Sequence, residues 1–216
     1  MTESDSHITN TSITHAREEN PRMKITTPLI LISLALTSLH GCAPVVIGGA
    51  AATGAALHSR RTVGTFVDDE SIELQTRLAI LEQKELNSQI HINIISYNGV
   101  VLMVGQAPTQ ALSEQAQSIV TGIEKVRLVH NEMAIAAPNS LMTRSSDSLI
   151  TAKVKTALFS IKGIADFDPT RVKVVTEDGV VYLMGMVYRN EADAVGAQAR
   201  EVGGVEKIVK LFEYLD

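Results

Sequence analysis

The sequence predicts an α+β protein made of two tandem αββαβ two-layer units, each a small three-stranded sheet with two helices on one face. Two repeated strings and the composition carry this expectation. Tyr97-Asn98-Gly99-Val100-Val101-Leu102-Met103-Val104-Gly105 returns as Glu177-Asp178-Gly179-Val180-Val181-Tyr182-Leu183-Met184-Gly185. Further along, Gly122-Ile123-Glu124-Lys125-Val126 returns as Gly204-Val205-Glu206-Lys207-Ile208. A period of about eighty residues present twice marks a duplicated small domain, because solenoid repeats are shorter and more numerous. Aromatic residues are 4% of the 216 and Trp is absent, which suits thin domains with aliphatic cores. Units of roughly seventy residues are only marginally stable alone, so the copies are expected to pack on each other.

Five segments follow: an upstream extension and signal peptide over 1–41, a lipidated N-terminus and flexible tether over 42–66, a first domain over 67–137, a linker over 138–146, and a second domain over 147–216. Met1–Arg22 is polar and lacks signal character, and Met23 makes the better start. The basic Met23-Lys24 leads into the apolar run Leu29–Leu39, too short to span a bilayer comfortably but suited to a secretory signal. The run ends at Leu39-His40-Gly41-Cys42, and Cys42 is the lone cysteine, so no intramolecular disulfide can form. Ala43–Thr65 is rich in Gly and Ala and includes Ser59-Arg60-Arg61, without the periodicity of a useful helix.

In the first copy Ile72, Thr76, Ala79 and Ile80 fall at helical spacing behind Asp68-Asp69-Glu70, acids suited to a helix N-terminus. Their counterparts are Ile150, Val154, Ala157, Leu158 and Ile161 behind Ser146-Asp147-Ser148. Two strands follow, joined by Asn98-Gly99 and by Asp178-Gly179. Both dipeptides favour the type I′ turn, whose central residues have φ > 0 and whose twist matches the strands. A two-residue loop fixes the register: Ile94 faces Met103 and Ile92 faces Gly105, with Val174–Leu183 and Val172–Gly185 as counterparts. Gly105 and Gly185 lack the glycine spacing that cradles phosphate, and are expected where a helix approaches the sheet closely. A second helix (Leu112, Ala116, Ile119, Val120; Val195, Ala199, Val202) stops at Gly122 and at Gly203-Gly204, expected to be left-handed C-caps. A last strand closes each copy, Arg127–Ile135 and Lys207–Tyr214. The strand–helix–strand crossover returns right-handed and sets both helices on one face.

The order αββαβ, with (N/D)-G-V-V-x-L-x-G after the first helix and G-x-E-K-(V/I) before the last strand, resembles the BON domain. The likeness covers Asp69–Ile135 and Asp147–Leu215. The Leu39–Cys42 string is similar to the lipobox of bacterial lipoproteins, although His40 stands where a small or aliphatic residue is usual. The lead-in Val63-Gly64-Thr65-Phe66-Val67-Asp68-Asp69 adds to a likeness to dual-BON outer-membrane lipoproteins. That resemblance implies covalent lipid on Cys42 and no other cofactor. With Ala43 rather than Asp after the cysteine, it implies sorting to the outer membrane with the domains facing the periplasm. It also implies a non-enzymatic role in envelope integrity and cell division, exercised on anionic phospholipid through the first helix of the second domain. Three acyl chains at ~0.8 kcal/mol per buried CH₂ make a lasting anchor.

The residues of that helix support the implication. Wound at 100° per residue, Ser148–Lys162 puts Ile150, Val154, Ala157, Leu158 and Ile161 on the core side. Leu149, Ala152 and Phe159 lie opposite, flanked by Lys153, Lys155 and Lys162, the pattern of a membrane-surface helix. The first helix of the first copy carries Asp69, Glu70, Glu73, Glu82 and Glu85 against Arg77 and Lys84, and is expected to be repelled by anionic lipid. The alternative is a protein-interaction adaptor using the apolar sheet faces turned away from the helices (Ile95, Tyr97, Val100, Leu102, Val104; Val175, Val180, Tyr182, Met184). Those faces could equally be the interface between the copies.

Charge and residue inventory argue against other classes. A net charge of -5 gives no reason to expect nucleic acid. His58, His91 and His130 stand at no metal-ligand spacing, and no Ser-His-Asp set appears. Asp166 and Asp168 flank Phe167 before Pro169, read as a turn that caps and leads into a strand. Catalytic and metal-binding residues are therefore expected to be none. Other envelope proteins are possible further partners; the oligomeric state is left open.

Overall fold

A computed structural model describes residues Arg60–Leu215. The expected start, signal peptide, Cys42 lipidation site and most of the tether lie outside the described residues. Helix α1 (Val63–Glu82) and the short α2 (Lys84–Gln89) precede β1 (His91–Tyr97), β2 (Val100–Ala107) and α3 (Gln110–Thr121). Strands β3 (Leu128–Asn131) and β4 (Ala134–Ile135) close the first copy. The second runs α4 (Leu141–Leu158), a 3₁₀ turn (Pro169–Arg171), β5 (Lys173–Glu177), β6 (Val180–Val187), α5 (Arg189–Arg200) and β7 (Lys207–Tyr214).

In each copy the middle strand pairs antiparallel with its hairpin partner and parallel with the last strand, in the orders β1-β2-β3 and β5-β6-β7. Ile94 opposes Met103, Ile92 opposes Gly105 and Val174 opposes Leu183, as the two-residue turns require. Asn98 and Gly99 have φ of 53° and 72°, Asp178 and Gly179 47° and 73°, the pair of positive values a type I′ turn needs. The strand expected over Arg127–Ile135 is interrupted at Glu132-Met133, and β4 resumes on β2 with Gln106 opposite Ala134.

The helices of each copy cover one sheet face, and the short α2, absent from the expected αββαβ order, adds Leu86 to the first core. Ile72 and Ile80 of α1 meet Val101 and Met103 of β2 and Ala116 and Val120 of α3 in one core, while Ile150, Val154, Val181, Leu183 and Val195 centre the other. The opposite sheet faces meet each other. Ile95, Tyr97, Val100, Leu102, Val104, Tyr182 and Met184 form a third buried cluster, with Val175 and Val180 packed against it. Strand β2 is therefore buried along its whole length, which explains its unbroken apolar run. This finding removes the adaptor alternative: the sheet faces it needed are spent joining the two copies into one helix–sheet–sheet–helix body.

Polar contacts rim that interface. Gln106 donates through Nε2 to Glu177 (2.8 Å) and Asp178 (2.6 Å), Lys173 Nζ reaches Glu73 at 2.7 Å, and Asn98 Nδ2 reaches Glu213 at 2.9 Å. The Tyr97 hydroxyl donates to the Arg171 carbonyl at 3.3 Å.

Several local expectations are corrected. The acids of the first helix are not at its N-terminus, because Thr62 caps α1 and the helix begins at Val63. Asp69 sits two turns in and turns inward: its carboxylate accepts from the amides of Asn98 (2.8 Å) and Gly99 (2.9 Å) and from Ser96 Oγ (2.7 Å). Asp147 does the same for Asp178 and Gly179, both at 3.0 Å. Each first helix is thus clamped to the hairpin turn of its own copy. Of the stretch expected as linker, Leu141–Ser146 is helix, capped by Ser140 Oγ on the Thr143 amide.

The end of the expected tether is likewise fixed. Arg60 grips Glu191 of the second copy with two bonds of 2.6 and 2.8 Å, and Arg61 grips Asp69 at 2.6 Å while stacking 3.9 Å over the Tyr97 ring. Burial alone would push the Glu191 carboxyl up; Arg60 and the Tyr188 amide outweigh it and hold the group below the usual range.

Glycine roles also shift. A Cβ on Gly105 would stand 2.1 Å from the His91 carbonyl oxygen, and one on Gly185 2.7 Å from that of Arg171. The close approach is to the backbone of edge strand β1 for Gly105 and to the end of the 3₁₀ turn that leads into β5 for Gly185, not to a covering helix. Gly122 is right-handed, and the positive φ of that loop falls on Lys125. Asp168 does cap the 3₁₀ turn, accepting from the Thr170 amide at 2.9 Å.

Candidate membrane-binding surface

Helix α4 is held from one side only. Ile150, Val154 and Leu158 enter the core and Asp147 clamps the β5–β6 turn, which leaves the opposite face to solvent. Leu149 is 62% exposed and Phe159 61%, and Ala152, Lys153, Lys155 and Lys162 are exposed as well. Exposed apolar side chains gathered on one helix face are a mark of an interaction surface. The helix ends at Leu158 rather than continuing to Lys162. Phe159 is its C-cap, in helical backbone geometry, and so keeps its outward direction; Lys162 follows in the loop.

The early start of α4 adds residues that sequence reasoning missed. Leu141 (77% exposed) and Met142 (81%) carry exposed apolar surface two further turns toward the start of the helix. Met142 and Leu149 are seven apart, two helical turns, and Ser140 is a good N-cap, so a signal was present. No hydrogen bond or ion pair from Lys153, Lys155 or Lys162 occurs among the described residues. Their charges are free to meet an anionic surface.

The matching helix α1 differs in charge but not in apolar exposure. Val67, Leu74, Leu78 and Leu81 are each more than half exposed, flanked by Glu70, Arg77 and Glu82. Sequence reasoning weighed the acids and overlooked this stripe.

Between the copies lies a cleft of about 620 Å³, where the edge strands β1 and β5 face each other below α1 and α4. Arg77, His91, Arg144 and Thr151 give it polar character, over Ile80 and Ile94. Burial first, then the Arg144 charge, lowers the His91 pKa, against the opposing pull of Asp178. Glu177, at the cleft wall, is raised by burial despite hydrogen bonds from Gln106 and Asn139. Among the described residues no group of three or more His, Cys, Asp or Glu is placed to hold a metal ion, and no helix is long and apolar enough to cross a membrane.

Comparison with known proteins places this geometry. The BON domain family model matches residues 68–137 and 146–216. The chain is 35% identical over 178 residues to the outer membrane lipoprotein DolP of Haemophilus influenzae, covering 82% of this chain and 91% of that protein. It is 37% identical over 155 residues to the 21 kDa hemolysin of Actinobacillus pleuropneumoniae, covering 72% and 78%. The osmotically-inducible protein Y of Escherichia coli is 30% identical over 154 residues, covering 69% and 74%.

Proposed function

The chain belongs to the BON-domain family, as a dual-BON outer-membrane lipoprotein, and from that premise we propose that it binds anionic phospholipid through α4 and supports envelope integrity and division without catalysing a reaction. In this reading Cys42 carries the lipid anchor, and the two domains hang in the periplasm. One observation carries the proposal: Leu149 and Phe159 stand open on the face of α4 turned away from the core, beside lysines with no hydrogen-bond or ion-pair partner among the described residues. Apolar side chains there can enter the acyl boundary while the ammonium groups stay at headgroup level, where each lysine contributes about 1 kcal/mol near an anionic surface.

Vesicle co-sedimentation tests it. The protein should bind phosphatidylglycerol-containing vesicles and not purely zwitterionic ones. Replacing Lys153, Lys155 and Lys162 with Gln should weaken that binding and flatten its salt dependence, since the electrostatic part fades beyond a Debye length of about 10 Å at 0.1 M salt. Equal binding to neutral and anionic vesicles, unchanged by the lysine substitutions, would rule the reading out.

A further inference from the structure

The exposed stripe on α1 has an order that single surface leucines lack. Gly64, Val67, Ser71, Leu74, Leu78 and Leu81 follow one another at alternating steps of three and four residues, the spacing of a helix-pairing seam. The opposite side of the same helix supplies the core through Ile72, Thr76 and Ile80, so the seam faces away from that core, with Arg77 and Leu81 at the rim of the cleft. Its edge carries Glu70 and Arg77, seven residues apart. Neither has a hydrogen-bond or ion-pair partner among the described residues, whereas Glu73 is spent on Lys173 and Asp68 on Lys125.

We propose that this face binds the same face of a second copy of the chain, α1 against α1, antiparallel across a two-fold axis near residue 73. In that register Leu78 meets Val67 of the second copy, Leu74 meets Ser71, and Leu81 packs over Gly64. Glu70 then falls beside Arg77 of the second copy and Arg77 beside its Glu70, so the symmetry makes the same ion pair twice. The charge pattern selects the occupant. A lipid surface that suits the lysines of α4 is repelled by Glu70 and Glu82, while two α4 faces, edged by lysines alone, would repel each other. Of these two faces, that of α1 is the self-complementary one.

The helix has 20 residues and is therefore about 30 Å long. One such pair buries less than a standard interface of about 1,600 Å², so the contact is weak in dilute solution. Two copies anchored in one membrane leaflet meet at a much higher effective concentration, which compensates.

Cross-linking of the lipid-anchored full chain in outer-membrane preparations tests the proposal. Ser71→Cys lies close to the axis, and a short bis-maleimide should convert it to a dimer, while Gln115→Cys on α3 should stay monomeric. In the Ser71→Cys background, Glu70→Arg or Arg77→Glu should each lower dimer yield about tenfold, because two attractions become two repulsions. Combining Glu70→Arg with Arg77→Glu should restore it. Leu74→Gln should abolish the dimer with an unchanged melting temperature, since Leu74 is exposed. The proposal fails if Ser71→Cys gives no more dimer than Gln115→Cys, if it is captured by a chain of different mass, or if the double charge exchange rescues nothing.

Discussion

Gly105→Ala is expected to cost at least about 3 kcal/mol and to lower the melting temperature by roughly 10 °C, since it makes the closest clash of any methyl added at the described glycines. The new Cβ would lie 2.1 Å from the His91 carbonyl oxygen and 2.9 Å from its carbon, and both are backbone atoms of the paired strand. Neither can move without breaking the β1–β2 ladder on which the first core rests. A φ of +123° adds strain of its own, because a side chain disfavours that region. Gly203→Ala is the matched control: nothing lies within 4 Å of its added Cβ, and its stability should be near wild type. Thermal melts followed by circular dichroism check both. A Gly105→Ala protein that melts with Gly203→Ala would mean that β1 and β2 do not approach as described.

Asp69→Ala should be next, at about 3–5 kcal/mol, and Asp147→Ala somewhat smaller. Removing the Asp69 carboxylate strands the amides of Asn98 and Gly99 and the hydroxyl of Ser96 and takes away the ion pair with Arg61, in a site where Asp69 is 2% exposed. Each buried donor left without an acceptor costs about 1–3 kcal/mol. Asp147 serves two amides and no arginine, so its loss strands fewer groups. The neighbouring Glu70, exposed and unpaired among the described residues, should tolerate Ala within about 0.5 kcal/mol. Urea titrations of the three variants decide the order. Equal midpoints for Asp69→Ala and Glu70→Ala would contradict the clamp.

The sequence exposed whatever is local and periodic. Asn-Gly and Asp-Gly turns set the hairpins, their register and the strands around them, because a two-residue loop leaves no other geometry. The outward direction of Leu149, Lys153, Lys155 and Phe159 was legible for the same reason: one turn of helix fixes their angle to Ile150 and Val154. What depends on contacts between distant residues was hidden. Asp69 and Asp147 look like dipole-compensating acids until the turns they clamp are brought next to them. Arg60 and Arg61 look like tether because their partners, Glu191 and Asp69, lie in other elements, one of them in the other copy. The sheet faces read as either free or joined, since apolar alternation is the same in both cases, and only their meeting around Tyr97, Leu102 and Tyr182 decides it. The leucines of α1 were in plain sight, but a net acidic helix drew the reading toward its charges.

The central claim is that the exposed face of α4, and not the apolar face of α1, engages anionic lipid. Binding of the Leu149→Glu and Leu81→Glu proteins to phosphatidylglycerol-containing vesicles, with thermal melts alongside, measures it most directly. Leu149→Glu should lose binding while melting like wild type, because an inserted side chain worth roughly 1.5–3 kcal/mol is replaced by a charge the surface repels, and no core contact is disturbed. Leu81→Glu, at a similar 51% exposure on α1, should bind as wild type does. The claim is contradicted if Leu149→Glu melts early yet each folded molecule still binds vesicles, or if Leu81→Glu is the variant that lets go.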